Sequence, residues 1–254
     1  MSDLNIVTVA HGEEWLDYHL RRFLWQARKT NPMAKYYLII PYSRHARADA
    51  LVWRDRLAPH FAAIAITEIQ DMPGRLVYYD RLRAASLEAF DLDECLYIDA
   101  DTDIMTDLGH VRYLEPDANL LWTPNAVHKD EVQNELTVHG LDSTPPFADP
   151  GFLYMRRSYA AEFEQARQDY AGSYDAYVPG MSMWNVAMRR AGDTAMLSYN
   201  YNVMYFVHRN LQFAQVIHFG GDRGTVERKW YDLSGHPTKL ELRLQSPVEP
   251  DLRW

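Results

Sequence analysis

Short apolar runs alternate with amphipathic segments along the first hundred residues. Apolar runs at 5–10, 36–40, 64–69 and 95–98 predict buried strands, and the last of them leads straight into acidic residues. Segments 13–29, 43–60 and 76–90 have the spacing of helices, and Ser43 is the predicted N-cap of the second one. This alternation predicts a Rossmann-like, mostly parallel sheet with helices on both faces, in which ligands bind beyond the carboxyl ends of the strands.

The second half of the chain is less regular. Apolar runs at 119–122, 151–155 and 216–219 predict strands, and segments 159–170 and 180–190 predict helices. A polar, proline-containing stretch that includes residues 142–146 lies between the first two of these strands and predicts a long loop or lid. No repeat, linker or low-complexity segment interrupts residues 1–254, so we expect a single α/β domain with a mixed, mostly parallel sheet.

Composition argues against several classes of protein and of binding site. The chain has no run approaching the roughly 18 apolar residues of a membrane span and no signal-like N-terminus, which predicts a cytoplasmic protein without a transmembrane segment. Cys95 is the only cysteine, which excludes an intramolecular disulfide or a cysteine-based zinc site. A net charge of −9 makes nucleic acid a less favoured partner.

The acidic segment after the fourth predicted strand carries the clearest chemical signal. Asp99 and Asp101 occupy alternate positions, so their carboxylates point to one side of an extended chain. Two carboxylates this close repel each other unless a cation lies between them, and oxygen ligands suit Mn²⁺ or Mg²⁺. Such a cation would hold a diphosphate. A solvated strand end or a helix cap is the plain alternative for the same residues.

A phosphatase offers a second metal-dependent interpretation of this segment. Haloacid-dehalogenase phosphatases carry Asp-x-Asp-x-Thr after an apolar strand. Here Thr102 comes one position early, and Asp103 stands where threonine is expected. The sequence therefore departs from that pattern, although a phosphatase or nucleotidyltransferase using the same pair of aspartates stays open.

A second candidate segment lies near the C-terminal end of the patterned region. His218 lies near the end of the strand predicted at 216–219, and Gly220 and Gly221 follow that strand. An imidazole would complete an Asp/Asp/His ligand set, and glycine allows a phosphate to approach the backbone closely. Lys229 would neutralise charge on a diphosphate. A packed, hydrogen-bonded histidine and an ordinary surface lysine are the alternatives.

Four segments taken in order are similar to a known enzyme family. They are Tyr79-Asp80-Arg81-Leu82-Arg83, Leu96-Tyr97-Ile98-Asp99-Ala100-Asp101, the segment Asp149–Met155, and His218-Phe219-Gly220-Gly221 with Lys229-Trp230. Over roughly residues 4–230 the chain resembles the retaining GT-A glycosyltransferases of the family 8 type, relatives of glycogenin and the lipopolysaccharide galactosyltransferases. The resemblance implies a hexosyltransferase-like enzyme that uses Mn²⁺ or Mg²⁺ and a nucleotide-sugar donor, a UDP-sugar in that family.

The resemblance also implies a role for each matching residue. Asp99, Asp101 and His218 would bind the metal, and Lys229 would bind the diphosphate. Arg81 would contact the donor sugar or a phosphate, and Asp149 would face the donor sugar, so that Arg81, Asp149 and Lys229 form the catalytic group. The remaining donor-binding positions would be Thr8, Ala10, His11, Ala100, Gly220 and Gly221.

Residues 1–103 would then form the nucleotide-binding half, residues 104–230 the acceptor and sugar half, and residues 231–254 a tail. The second half departs from the family pattern. Asp149 stands where the family has asparagine, and Gly180-Met181-Ser182 replaces an Asp-Gln-Asp segment, while Asn185 matches. These changes leave open the donor sugar, the stereochemical outcome, an inverting reaction with Asp149 or Asp175 as base, and a noncatalytic nucleotide-sugar-binding relative. The acceptor and the oligomeric state stay open as well.

Overall fold

Two β-sheets organise the chain. The computed structural model describes residues 4–13, 15–69, 82–125, 130–157, 161, 165, 179–204, 211 and 213–219. The strands in these ranges are β1 Asn5–Val9, β2 Lys35–Ser43, β3 Ala63–Ile69, β4 Cys95–Ile98, β5 Thr102–Ile104, β6 Leu120–Pro124, β7 Ala148–Met155, β8 Thr194–Met196, β9 Val203–Met204 and β10 Val216–His218.

Helices cover both faces of the larger sheet. The α-helices of the described ranges are α1 Leu20–Thr30, α2 Arg47–Leu57, α3 Ser86–Ala89, α4 Asp130–Val138 and α5 Pro179–Ala191. A π-helical turn at Trp15–His19 precedes α1, and 3₁₀ turns lie at Ala58–His60, Val111–Tyr113 and Tyr199–Tyr201. No helix in the described part of the chain is both long enough and apolar enough to cross a membrane.

The larger sheet has seven strands in the order β3-β2-β1-β4-β7-β6-β8. Strands β1 to β4 are parallel, β7 runs antiparallel to both of its neighbours, and β8 is parallel to β6. The predicted mixed, mostly parallel α/β sheet is therefore confirmed. Parallel strands place their carboxyl ends at one edge, and that edge is where Asp99 leaves β4.

A smaller sheet of three strands, in the order β5-β10-β9, lies just beyond this edge. Strand β10 pairs antiparallel with β5 and parallel with β9. The chain passes from the large sheet to the small one within residues 99–101, because β4 ends at Ile98 and β5 begins at Thr102. The Asp-x-Asp segment is thus the connection between the two sheets.

The side chains of β4 point alternately to the two faces of the large sheet, and each face has its own apolar core. Cys95 and Tyr97 pack into a cluster with α3, α4 and α5, whereas Leu96 and Ile98 pack into a second cluster with α1. All four side chains are fully buried, as expected for a central strand covered on both faces. Burial also raises the pKa of the Cys95 thiol, so Cys95 packs as a small buried apolar residue.

Several predicted boundaries need correction. Helix α2 begins at Arg47 and its N-cap position is Ala46, so the predicted cap Ser43 is wrong: Ser43 is the last residue of β2. Strand β7 begins three residues earlier than predicted, at Ala148, because its polar start pairs with β6 across an irregular register. The stretch predicted as one long loop contains α4. The predicted helix at 159–170 lies largely outside the described residues, as does the first part of the one predicted at 76–90.

Candidate functional site

Strand β4 delivers the two aspartates to the carboxyl edge of the sheet. The amide of Asp99 donates to the carbonyl of Gly151 at 3.0 Å, which continues the β4–β7 pairing by one residue. The hydroxyl of Thr102 donates back to the Asp99 carbonyl at 2.8 Å and closes the turn around Ala100. Asp99 is partly exposed, whereas Asp101 is buried, so the second carboxylate lies deeper between the two sheets.

Strand pairing in the small sheet brings His218 to these aspartates from more than a hundred residues away. His218 lies opposite Thr102 in the β10–β5 register, and the Phe219 amide donates to the Asp101 carbonyl at 3.1 Å. The His218 Nε2 atom lies 3.3 Å from Asp101 Oδ1 and 3.8 Å from Asp99 Oδ2. One ligand atom from each of the three residues lies within 4.8 Å of the others, a donor set that suits a divalent cation.

The charge on His218 depends on these neighbours. Burial lowers the pKa of His218, whereas the charge of Asp101 and its hydrogen bond, together with the charges of Asp149 and Asp99, raise it. The balance raises the pKa of His218 from 6.5 to about 9. At neutral pH the imidazole therefore carries a proton, and its positive charge offsets the repulsion between the neighbouring carboxylates. A divalent cation at this position would take the place of that proton, because only the neutral imidazole is a ligand.

Strand β7 supplies a third carboxylate beside the histidine. Asp149 is almost fully buried, and its Oδ1 accepts from the Gly151 amide at 2.8 Å. Its Oδ2 accepts from the Asn125 side chain at 3.2 Å. Both oxygens are thus held by neutral donors, which position the carboxylate without removing its charge. The structure brings Asp149 close enough to His218 for that charge to raise the pKa of the imidazole.

Arg83 lies in the first of the four matching segments but had no predicted role. Its Nη2 atom donates to Asp99 Oδ1 at 2.8 Å and to Oδ2 at 2.9 Å. The Tyr97 hydroxyl donates to the same Oδ1 at 2.6 Å, and the guanidinium lies over the Tyr97 ring at 5.3 Å from its centroid. Arg83 is two residues beyond the Arg81 of the family pattern, so spacing alone did not single it out.

The end of β1 lies next to the end of β4, because the two strands are paired in parallel. The predicted nucleoside-bordering residues therefore lie at the same edge as Asp99. Thr8 and Ala10 are almost fully buried, whereas His11 is partly exposed. Ala100, also predicted to line the donor site, is buried against the core that includes α1.

Asn125 connects Asp149 to the altered segment at the start of α5. The Asn125 amide, which holds Asp149, also donates to the sulfur of Met181 at 3.6 Å. Asn185, the residue that matches the family, is fully buried: it donates to the Ala148 and Met181 carbonyls and accepts from the Ala148 amide. Its side chain fastens α5 to β7. Of the predicted site residues, Arg81, Gly220, Gly221 and Lys229 lie outside the described residues, as does Asp175, a candidate base for an inverting reaction.

Several solved structures with a similar fold are glycosyltransferases. The galactosyltransferase LgtC, in complex with donor and acceptor sugar analogues, superposes with a TM-score of 0.59 at 14% identity over 86% of this chain and 87% of its own. Mouse xyloside xylosyltransferase 1 gives a TM-score of 0.56 at 11% identity over 87% of this chain and 99% of its own. The bifunctional glycosyltransferase WbbM gives 0.57 at 12% identity over 87% of this chain and 46% of its own.

Sequence comparison adds no relative to these structures. No protein-family profile matches the chain, and none of the curated proteins matches it in sequence. The likeness is therefore one of architecture. The chain has the GT-A fold of these glycosyltransferases, with Asp99, Asp101 and His218 gathered at the carboxyl edge of its sheet.

Proposed function

We propose that the protein is a metal-dependent glycosyltransferase that moves a sugar from a nucleotide-sugar donor to an acceptor. The observation that carries the proposal is the gathering of Asp99, Asp101 and His218 at the carboxyl edge of a GT-A sheet. In open α/β sheets this edge is the usual ligand site. Two carboxylates and one imidazole form a donor set that Mn²⁺ accepts, and Mn²⁺ or Mg²⁺ is the proposed cation.

Each side chain would have a separate task. Asp99, Asp101 and His218 would hold the cation, which when bound supplies positive charge opposite the donor diphosphate. Thr8, Ala10 and His11, at the end of β1, would border the nucleoside, and Ala100, Gly220 and Gly221 would line the diphosphate. Arg81 and Lys229 would add positive charge at the phosphates or the sugar. Asp149 would face the donor sugar with the orientation that Asn125 and Gly151 impose.

The transfer itself exchanges one bond to the anomeric carbon for another. The bond from that carbon to the diphosphate oxygen breaks, and its electron pair leaves with the nucleoside diphosphate. The acceptor hydroxyl oxygen bonds to the same carbon, and its proton passes to the released diphosphate. A negative Asp149 carboxylate near the sugar would stabilise the oxocarbenium-like charge of the transition state. We propose a UDP-sugar donor and a retaining outcome by analogy with the resembling family.

One observation favours a noncatalytic relative as a second candidate. The polar segment that the resembling enzymes have at the start of this helix is replaced by Gly180-Met181-Ser182, and the Met181 sulfur rather than a polar group meets the Asn125 amide. The Asn185 side chain makes its hydrogen bonds to the backbone of Ala148 and Met181. A protein that binds a nucleotide-sugar and does not turn it over would tolerate this change.

Product analysis separates the candidates. The purified protein is incubated with UDP-, GDP- and other nucleotide-sugars, in Mn²⁺ and in EDTA, and the nucleotides are resolved by chromatography. A glycosyltransferase releases a nucleoside diphosphate from one donor and only with the metal. Release of a nucleoside monophosphate would instead indicate phosphoryl chemistry. Metal-dependent binding of one donor by calorimetry without any release, even with glycoside, lipid and protein acceptors, would favour the noncatalytic candidate.

A further inference from the structure

The carboxylate of Asp99 forms an ion pair with the guanidinium of Arg83. Arg83 donates from one nitrogen to both Asp99 oxygens, at 2.8 and 2.9 Å. Both side chains are mostly buried, with 12% of Arg83 and 16% of Asp99 exposed, so water screens this ion pair only weakly. The pair is therefore a fixed part of the site rather than a surface contact.

The same Asp99 oxygen faces both Arg83 and the candidate metal position. Asp99 Oδ2 accepts from Arg83 at 2.9 Å and lies 3.8 Å from His218 Nε2. A divalent cation bound between Asp99 Oδ2 and His218 Nε2 would share this oxygen with the guanidinium. Two positive groups on one oxygen repel each other, and the arginine cannot lose its charge to relieve the repulsion.

Groups other than Arg83 also fix the orientation of the Asp99 side chain. The Tyr97 hydroxyl donates to Oδ1 at 2.6 Å, and the Asp99 backbone is fixed by the Gly151 carbonyl and the Thr102 hydroxyl. Asp99 therefore has partners besides Arg83 that fix its position. What Arg83 adds to them is a positive charge next to the metal position.

A donor diphosphate changes the balance of charge. Asp99 and Asp101 face the metal position, Asp149 lies beside it, and Arg83 offsets the charge of Asp99. The diphosphate brings additional negative charge and its own oxygen ligands, which lowers the repulsion between the cation and the guanidinium. The cation and the nucleotide then bind more tightly together than either does alone, and linkage makes this coupling reciprocal.

On the basis of the proposed function, we infer that Arg83 is a positioning residue that weakens binding of the bare cation and so makes the metal bind together with the nucleotide. Replacing Arg83 by glutamine removes the charge and keeps a hydrogen-bond donor. Replacing it by lysine keeps the charge. If Arg83 only held Asp99 in place, Arg83→Gln would leave the affinity for metal unchanged or lower it, and would not raise it.

Manganese titration followed by electron paramagnetic resonance tests this inference without using activity. Wild-type protein, Arg83→Gln, Arg83→Lys and the remote control Arg54→Gln are titrated with Mn²⁺ alone and with each of UDP, GDP and ADP. Arg54 lies on the exposed surface and pairs with Asp55. Because removing a unit positive charge a few ångströms away relieves repulsion, we expect Arg83→Gln to bind Mn²⁺ alone at least about tenfold more tightly than wild type, with a smaller gain on adding nucleotide. Arg83→Lys and Arg54→Gln should follow wild type.

Two results would overturn the inference. Equal or weaker Mn²⁺ binding by an Arg83→Gln protein with a native circular dichroism spectrum would show that Arg83 does not oppose the cation. Wild-type protein that binds no Mn²⁺, with or without any nucleoside diphosphate, would remove the proposed metal site and the inference with it. The first result leaves the proposed function standing, so the two failures are distinguishable.

Discussion

Gly151 lies directly against the imidazole of His218. A Cβ atom built on Gly151 would come within 2.7 Å of His218 Cε1 and 2.9 Å of Nδ1, distances that real Cβ atoms do not reach. It would also lie 3.0 Å from Asp149 Oδ1. The lack of a side chain at this position of β7 is therefore what allows a histidine from the small sheet to reach the aspartates of the large one.

This contact predicts the effect of Gly151→Ala. The added methyl group pushes the His218 ring away from Asp101, so Mn²⁺ affinity should fall about tenfold or more. The overlap should also lower the free energy of unfolding by about 1–3 kcal/mol. Calorimetric Mn²⁺ titration and urea denaturation measure the two effects. Gly109→Ala is the matched control, because its nearest neighbour is the side chain of Asp107. Unchanged Mn²⁺ affinity in Gly151→Ala would contradict the account.

Asn185 fastens α5 to the strand that carries Asp149. Its side chain makes three hydrogen bonds to the backbone of Ala148 and Met181 at 2.8 to 3.1 Å, and it is fully buried. Asn185→Ala leaves these backbone groups without that partner and should lower the free energy of unfolding by about 3 kcal/mol. Urea denaturation measures the loss. Asn134→Ala, at an exposed position of α4, should change stability by less than about 0.5 kcal/mol. Equal losses in the two variants would refute the role of Asn185.

Arg22 and Asp103 join α1 to the small sheet. The Arg22 Nε and Asp103 Oδ2 atoms are 3.8 Å apart, and the two side chains are 6% and 0% exposed. Removing either partner leaves a buried charge without this counter-charge. Arg22→Met or Asp103→Leu alone should therefore lower the free energy of unfolding by about 3 kcal/mol.

A double-mutant cycle separates this pairing from simple loss of packing. The double variant Arg22→Met/Asp103→Leu should be more stable than the sum of the single losses predicts, by at least about 1 kcal/mol. The same cycle on the exposed pair Arg54 and Asp55 is the control and should give a coupling below about 1 kcal/mol. Additive losses at Arg22 and Asp103 would mean that the two residues act independently.

The large sheet was predictable because its first four strands are apolar runs separated by segments with helical spacing. β4 was predicted with its observed bounds, since a four-residue apolar run between polar segments has few alternatives. Strands β5 and β8 were missed because each has three residues that include polar ones, and β9 was missed because it has only two residues. The polar start of β7 hid its true beginning at Ala148.

The candidate site was only partly predictable. The Asp-x-Asp pair and His218 were identified from residue type, strand ends and the family resemblance. Their approach depends on β10 pairing with β5, a contact between distant segments that local sequence does not encode. Arg83 had no predicted role for a related reason. The family pattern assigns the role to Arg81, and only the folded chain places the Arg83 guanidinium on Asp99.

Nucleotide release by wild-type protein and the Asp101→Asn variant is the most direct test of the central claim. The variant keeps the shape of a buried side chain and removes the charge that faces His218. Asp55→Asn is the matched control, because Asp55 is exposed on α2. We expect Mn²⁺-dependent release of one nucleoside diphosphate by wild type and Asp55→Asn, and a loss of at least about a hundredfold in Asp101→Asn. Release that is equal in all three proteins, or that persists in EDTA, would contradict a metal-dependent glycosyltransferase at this site.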